Sequence, residues 1–178
     1  MNFKKLIILW LVLAAALLQG SCSRFESPRY VKIADSITDQ TAKKIEKEKG
    51  LSLCGTGGGM MDDVKFMMMA FSYPKSVDAK EARDLLIYSA EAYLSAINSN
   101  PEIRPFLHNY PFTAGNIAIE IYFPDIKDPN LLSVASVYKG RVSYDIRDPE
   151  TKRLKEILEE SYETALQIYK EQHSQSVK

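Results

Sequence analysis

Apolar positions in the stretch from Pro28 to Lys49 recur at Ile33, Ile37 and Ile45 with Thr41 between them, a narrow stripe at helical spacing, and Pro28 ahead of it and Gly50 behind it mark the two ends. The charge run Lys43 to Lys49 belongs to the solvated side of that helix, with Glu and Lys within reach of one another. The period then changes. From Val64 to Tyr73, Phe66, Met68 and Ala70 alternate with Met67, Met69 and Phe71, so both faces are apolar, which predicts a covered strand stopped by Pro74. A second helix is capped by Ser76 or by Asp78, the latter at capping-box distance from Glu81. It buries Ala82, Leu85, Leu86, Ser89, Tyr93 and Ile97, and ends at Asn98-Ser99-Asn100-Pro101. Three strands follow, at 116–123, 132–138 and 141–146. Lys139-Gly140 is the tight turn between the last two, and 124–130 is the loop between the first two. The final pattern predicts a helix capped by Asp148 with Pro149 at its first position and Leu154, Ile157, Leu158, Ser161, Tyr162, Ala165, Ile168 and Tyr169 along one face. The order helix, strand, helix, three strands, helix points to an α+β two-layer sandwich, an antiparallel sheet of about four strands with helices packed on one face.

The head of the chain follows a different logic. Lys4 and Lys5 precede the unbroken apolar run Leu6 to Leu18, and Gln19-Gly20-Ser21-Cys22 closes the segment, the layout of an export signal. As a helix the apolar run would span about 20 Å, short of the ~30 Å hydrocarbon core, which disfavours a permanent transmembrane anchor. Ser21 and Gly20 before Cys22 resemble the lipobox of bacterial lipoproteins, with Gln19 where that pattern usually has Leu. The resemblance implies that Cys22 becomes a diacylglycerol-modified mature N-terminus, holding the protein to the cell envelope, on the outer membrane or periplasmic face where there are two membranes. Ordinary cleavage and secretion is the second choice. The expected organisation is a signal peptide at 1–21, a tether at 22–29, one domain at 30–172 and a disordered tail at 173–178 that includes His173.

Charge narrows the partners. The 23 basic and 23 acidic side chains balance, but Lys4 and Lys5 leave with the signal, so the remainder is slightly acidic and has no polybasic cluster. Nucleic acid is therefore excluded, since phosphate backbones are held through clustered Lys and Arg. The expected membrane link is the acyl anchor.

Candidate chemistry is sparse. With Cys22 acylated or lost, Cys54 has no disulfide partner; it is either a small buried hydrophobe or a thiol that needs a nearby cation to react. Gly55, Gly57, Gly58 and Gly59 occupy four of five positions, a composition that fits either an anion-cradling nest of N–H groups or a glycine-rich hairpin or bulge with close backbone packing. It matches neither the P-loop nor the dinucleotide fingerprint. The segment Glu102 to Thr113, with Pro105 and Pro111, is a structured polar-aromatic loop carrying His108 and Tyr110 as candidate ligand contacts. Met60, Met61, Met67 and Met69 offer thioethers to Cu(I), but strand patterning explains them as core filler, so no metal and no cofactor is expected.

The stretch Ala96 to Thr113, with the glycine run before it and Asn116-Ile117 after it, resembles small exported bacterial proteins of uncharacterised role. The likeness would cover Leu51 to Ile168 and implies export, with no activity or functional residues attached. Two function classes follow from the residues. One is a non-catalytic envelope lipoprotein that binds a protein or peptide through an exposed sheet edge or the His108 to Phe112 loop. The alternative is a cysteine-dependent hydrolase with Cys54 as nucleophile, His108 as base and the glycine N–H groups as oxyanion donors. Metal or small-ligand carriage is a further alternative.

Overall fold

A computed structural model describes residues 27–124 and 131–174. Helix α1 (Arg29–Lys49) ends as the sequence predicts: Gly50 adopts a left-handed φ of 71° and its N–H closes on the Glu46 carbonyl at 2.8 Å. Strands β1 (Ser52–Gly59) and β2 (Phe66–Ser72) pair antiparallel. Helix α2 (Ala79–Ser99) starts at Asp78, whose carboxylate accepts from the Glu81 N–H at 2.8 Å. It carries the chain across to β3 (Ile117–Tyr122), which lies parallel to β2. That crossover is what a parallel neighbour demands, since a hairpin cannot supply it. Strands β4 (Val134–Tyr138), β5 (Arg141–Arg147) and β6 (Leu154–Ser161) then add in sequence, each antiparallel to the last, and helix α3 (Tyr162–Ser174) follows β6 with no intervening residue.

The sheet thus has six strands in the order β1-β2-β3-β4-β5-β6 and is mixed, against the expected antiparallel sheet of about four. Both extra strands are its edges. At β1 the glycines conceal any alternation of apolar and polar side chains. At β6 the expected helix from Asp148 is replaced by a turn and a strand. The Asp148 carboxylate accepts from the N–H groups of Glu150 and Thr151 at 3.0 and 2.7 Å, Lys152 takes a φ of 58°, and the Asp148 N–H reaches the Arg153 carbonyl at 2.9 Å. Asp148 therefore caps a hairpin loop. The Leu154, Ile157 and Leu158 spacing is helical, but pairing with β5 satisfies the backbone of both segments, and only the part from Tyr162 onward is helix. That helix continues through Gln172, His173 and Ser174.

One face of the strands builds the core. Met67, Met69, Phe71, Ile117, Ile119, Ile121, Ala135, Val137, Val142 and Tyr144 are enclosed with Ile37 and Ile45 of α1, Leu86, Tyr93 and Ile97 of α2 and Ala165 of α3. Hydrogen bonds tie the elements of this layer together. The Tyr93 hydroxyl meets Thr38 Oγ1 at 2.7 Å, tying α2 to α1. Arg83 Nε and the Tyr144 hydroxyl both donate to Glu160 Oε1 at 2.7 Å, which fixes β6 to α2 and to β5. Burial, and then the Glu160 carboxylate, push the Tyr144 hydroxyl well above its ordinary value. The Tyr162 hydroxyl donates to Glu91 at 2.6 Å and docks the start of α3 on α2.

Candidate functional site

The candidate residues named from sequence do not converge. Cys22 lies outside the described residues. Cys54 is a free, exposed thiol at a bulge in β1, where Leu53 faces Phe71 and Gly55 faces Ala70, leaving Cys54 unmatched. His108 sits at the other end of β2: its N–H donates to the Val64 carbonyl at 2.9 Å, and its ring Nδ1 lies 2.6 Å from the Asp63 carboxylate. Val64 and Ala70 are separated by roughly 20 Å of extended chain, so the nucleophile and base of the hydrolase alternative are not neighbours. The glycines are not a nest either. Gly55, Gly57, Gly58 and Gly59 are strand residues and none has positive φ, so their N–H groups alternate in direction along β1. Glycine is required at Gly58, where a Cβ would stand 2.8 Å from the Phe66 carbonyl oxygen and 2.7 Å from Met60 Cε. The methionines do not gather: Met67 and Met69 are fully enclosed in the core and Met61 is 88% exposed. Among the described residues, no group of three or more His, Cys, Asp or Glu side chains is placed to hold a metal ion.

The loop between α2 and β3 is a built structure. Asn98 clamps it from both sides, donating to the Phe112 carbonyl at 2.9 Å and accepting from the Phe112 N–H at 2.7 Å. Arg104 lies over the Tyr110 ring at 4.0 Å and bonds its hydroxyl. The Val64 N–H donates to the Phe106 carbonyl at 2.8 Å, fastening the loop to the approach to β2. The His108 hydrogen bond holds the Asp63 carboxyl below its usual range, with Lys65 Nζ 3.7 Å away adding to the effect. Tyr110 and the His108 side chain are about half exposed, yet the hydrogen bonds around them serve the loop itself.

A different surface presents polar and aromatic side chains. The positions alternating with the core residues line the other face of the sheet, and none of the described helices covers it. Its rows follow from register. Met68, Ala118, Tyr138 and Arg141 form one; Ala70, Glu120, Ser136, Ser143 and Glu159 the next; Ser72, Tyr122, Val134, Asp145 and Glu156 a third. Phe66 meets the Tyr138 ring edge-on at 5.8 Å, an apolar ridge at one end; Tyr138 and Tyr122 are 50% and 41% exposed. Between them runs a polar row. Ser136 and Ser143 share a hydrogen bond of 2.9 Å, Glu120 accepts from the Tyr122 hydroxyl at 2.5 Å, and Ser143 lies 3.5 Å from Asp145. A shallow depression of about 340 Å³ opens there, lined by Ser136, Tyr138, Lys139, Arg141, Ser143 and Glu156. The Glu120 bond, with burial, pushes the Tyr122 hydroxyl up to about 12. Burial raises the Asp145 carboxyl, with the Ser143 bond opposing it.

The alternation in the sequence picks out the apolar half of 116–123 and, in 132–138, Val134 and Ser136, whereas the core takes Ala135 and Val137; Glu120, Ser143 and Asp145 carry no signal of their own. They are legible only as the polar half of a period-two alternation, and register across strands is needed to see that they lie together on one face. No known protein family, curated protein or solved structure matches the chain. Among the described residues no helix is long and apolar enough to cross a membrane.

Proposed function

We propose that the protein is a lipid-anchored lipoprotein of the cell envelope whose domain binds a protein or peptide partner through the uncovered side of its sheet, without catalysing a reaction. The observation that carries this reading is the uncovered face, where Phe66, Tyr122 and Tyr138 surround half-buried polar groups. Tyrosines offer broad amphipathic contact area at low entropic cost. The sheet edges are less suited to strand addition. Cys54 in β1 and Ile157 in β6 are both bulged, and a bulge shortens the run of backbone that an incoming strand can pair with. The separation of Cys54 from His108 further favours binding over hydrolysis.

Two experiments test it. A photo-crosslinking residue at Tyr138, in cells carrying the native envelope, is expected to trap a defined partner that the same residue at Asp39 on α1 does not trap. Equal trapping at both positions overturns the binding reading. For the anchor, radiolabelled palmitate is expected to enter the wild type and to be absent from Cys22→Ala; equal labelling overturns lipidation.

A further inference from the structure

Resting on that binding reading, we infer that the partner presents a lysine- or arginine-bearing segment, whose cations dock on the Glu120–Ser136–Ser143 row and on Asp145 of the next row of the uncovered sheet face. The charge distribution carries the inference. Four carboxylates share this face, those of Glu120, Asp145, Glu156 and Glu159. Among the described residues its cations are already engaged: Arg141 with Glu156 and Glu159, Arg147 with the Lys152 carbonyl, and Lys139 over the Tyr138 ring at 5.1 Å. Among the described residues, Glu120 and Asp145 are bonded by hydroxyls alone, those of Tyr122 and Ser143, and hydroxyls do not neutralise charge. Both carboxylates are half-buried, so part of their hydration is already lost, and a cation that replaces it gains more than it would on an open surface.

Geometry sets the size of the occupant. Glu120 on β3 and Asp145 on β5 are two strands and two residues apart, about 12 Å, with Ser136 and Ser143 between them as hydroxyl partners for ammonium or guanidinium protons. One long cationic side chain reaches either carboxylate, and two on alternate positions of an extended segment, about 7 Å apart, reach both. Tyr122 and Tyr138 stand beside the row, where their rings can cover the methylene stems. A second copy of this chain is a poor occupant, because face-to-face contact would set carboxylate against carboxylate. A resident metal is equally poor, since the described residues supply no cluster of ligands.

The test uses the full-length chain in detergent micelles and an octapeptide alternating lysine and tyrosine, with the same peptide acetylated on every lysine as its control. The cationic peptide is expected to bind about tenfold more tightly than the acetylated one and to lose about tenfold in affinity against the Glu120→Gln/Asp145→Asn double variant. Asp39→Asn is expected to leave binding unchanged. Amide shifts of the wild type on titration should centre on Ser136 and Ser143, which keeps the inference testable should the double variant fail to fold. Equal affinity for the two peptides, shifts centred elsewhere, or a dimer in light scattering that Tyr138→Arg dissolves each overturns it. The crosslink at Tyr138 does not depend on charge. A partner trapped there through a neutral or acidic segment would sink this inference and leave the binding reading standing.

Discussion

The two edges of the sheet solve one problem with opposite materials. Strand β1 runs Ser-Leu-Cys-Gly-Thr-Gly-Gly-Gly, with no charge and few side chains; β6 runs Leu-Lys-Glu-Ile-Leu-Glu-Glu-Ser, with four charges and three large apolar groups that stay 39–49% exposed. Both are interrupted by one bulged residue, Cys54 or Ile157, which twists an edge away from further pairing. What holds them differs. Strand β1 is held by closeness of backbone, with Gly58 against the Phe66 carbonyl. Strand β6 is held by a side-chain rivet, the Arg83–Glu160–Tyr144 cluster, in which Arg83 and Glu160 are only 12% and 11% exposed. An edge poor in side chains depends on backbone fit, and an exposed edge depends on one anchored charge.

The largest effect should come from the rivet. Glu160→Ala leaves Arg83 charged and nearly buried, which is expected to cost about 3–5 kcal/mol in urea unfolding, and Arg83→Met with Glu160→Leu should recover most of that. A loss below 1 kcal/mol for Glu160→Ala would remove the distinction between the edges. Next is Gly58→Ala, where the added methyl meets a backbone oxygen and should cost about 1–3 kcal/mol, while Gly57→Ala, whose nearest contact is Met68 Sδ at 3.7 Å, should stay within about 0.5 kcal/mol of neutral. If the two glycines respond alike, backbone closeness is not what holds β1. Ile157→Lys on the exposed side of β6 should change stability by less than about 0.5 kcal/mol, as the same measurement will show.

The smallest effect is acid dependence. The His108 hydrogen bond lowers the Asp63 carboxyl near the β1–β2 connection, and bonds from Thr151 lower that of Asp148 before β6. A carboxyl depressed in the folded state adds stability that is fully present above its unfolded value, near 3.8, and is lost as pH falls through the lower folded value. Asp63→Asn and Asp148→Asn should therefore each flatten the stability curve below that value and leave its shape unchanged at neutral pH. An unchanged acid limb in either variant would show that the carboxyl is not coupled to folding.

Legibility from sequence varied with the origin of the ordering force. Helices α1 and α2, their caps at Gly50 and Asp78, the β2, β3, β4 and β5 segments and the Lys139-Gly140 turn, with φ of 51° and 76°, all follow from local periodicity and end signals. The proposed binding surface was legible only as separate polar positions, because Glu120, Ser136, Ser143 and Asp145 come from three strands. His108 was legible as a loop group, but its Asp63 partner, 45 positions earlier, was not.

By itself, then, the chain determined where its apolar stripes lie, where α1 and α2 begin and end, and that an α+β core would form, since these depend on neighbours within a few residues. Tertiary structure decided the rest. Leu154 to Ser161 has the spacing of a helix and became a strand because β5 offered a hydrogen-bonding partner and Arg83 a counter-charge. The glycine segment became an edge strand because β2 was there to pair with it, and the parallel β2–β3 contact exists only because α2 spans the sheet. Long-range pairing satisfies backbone groups that local pattern leaves undecided, and it alone gathers residues of separate strands into one surface.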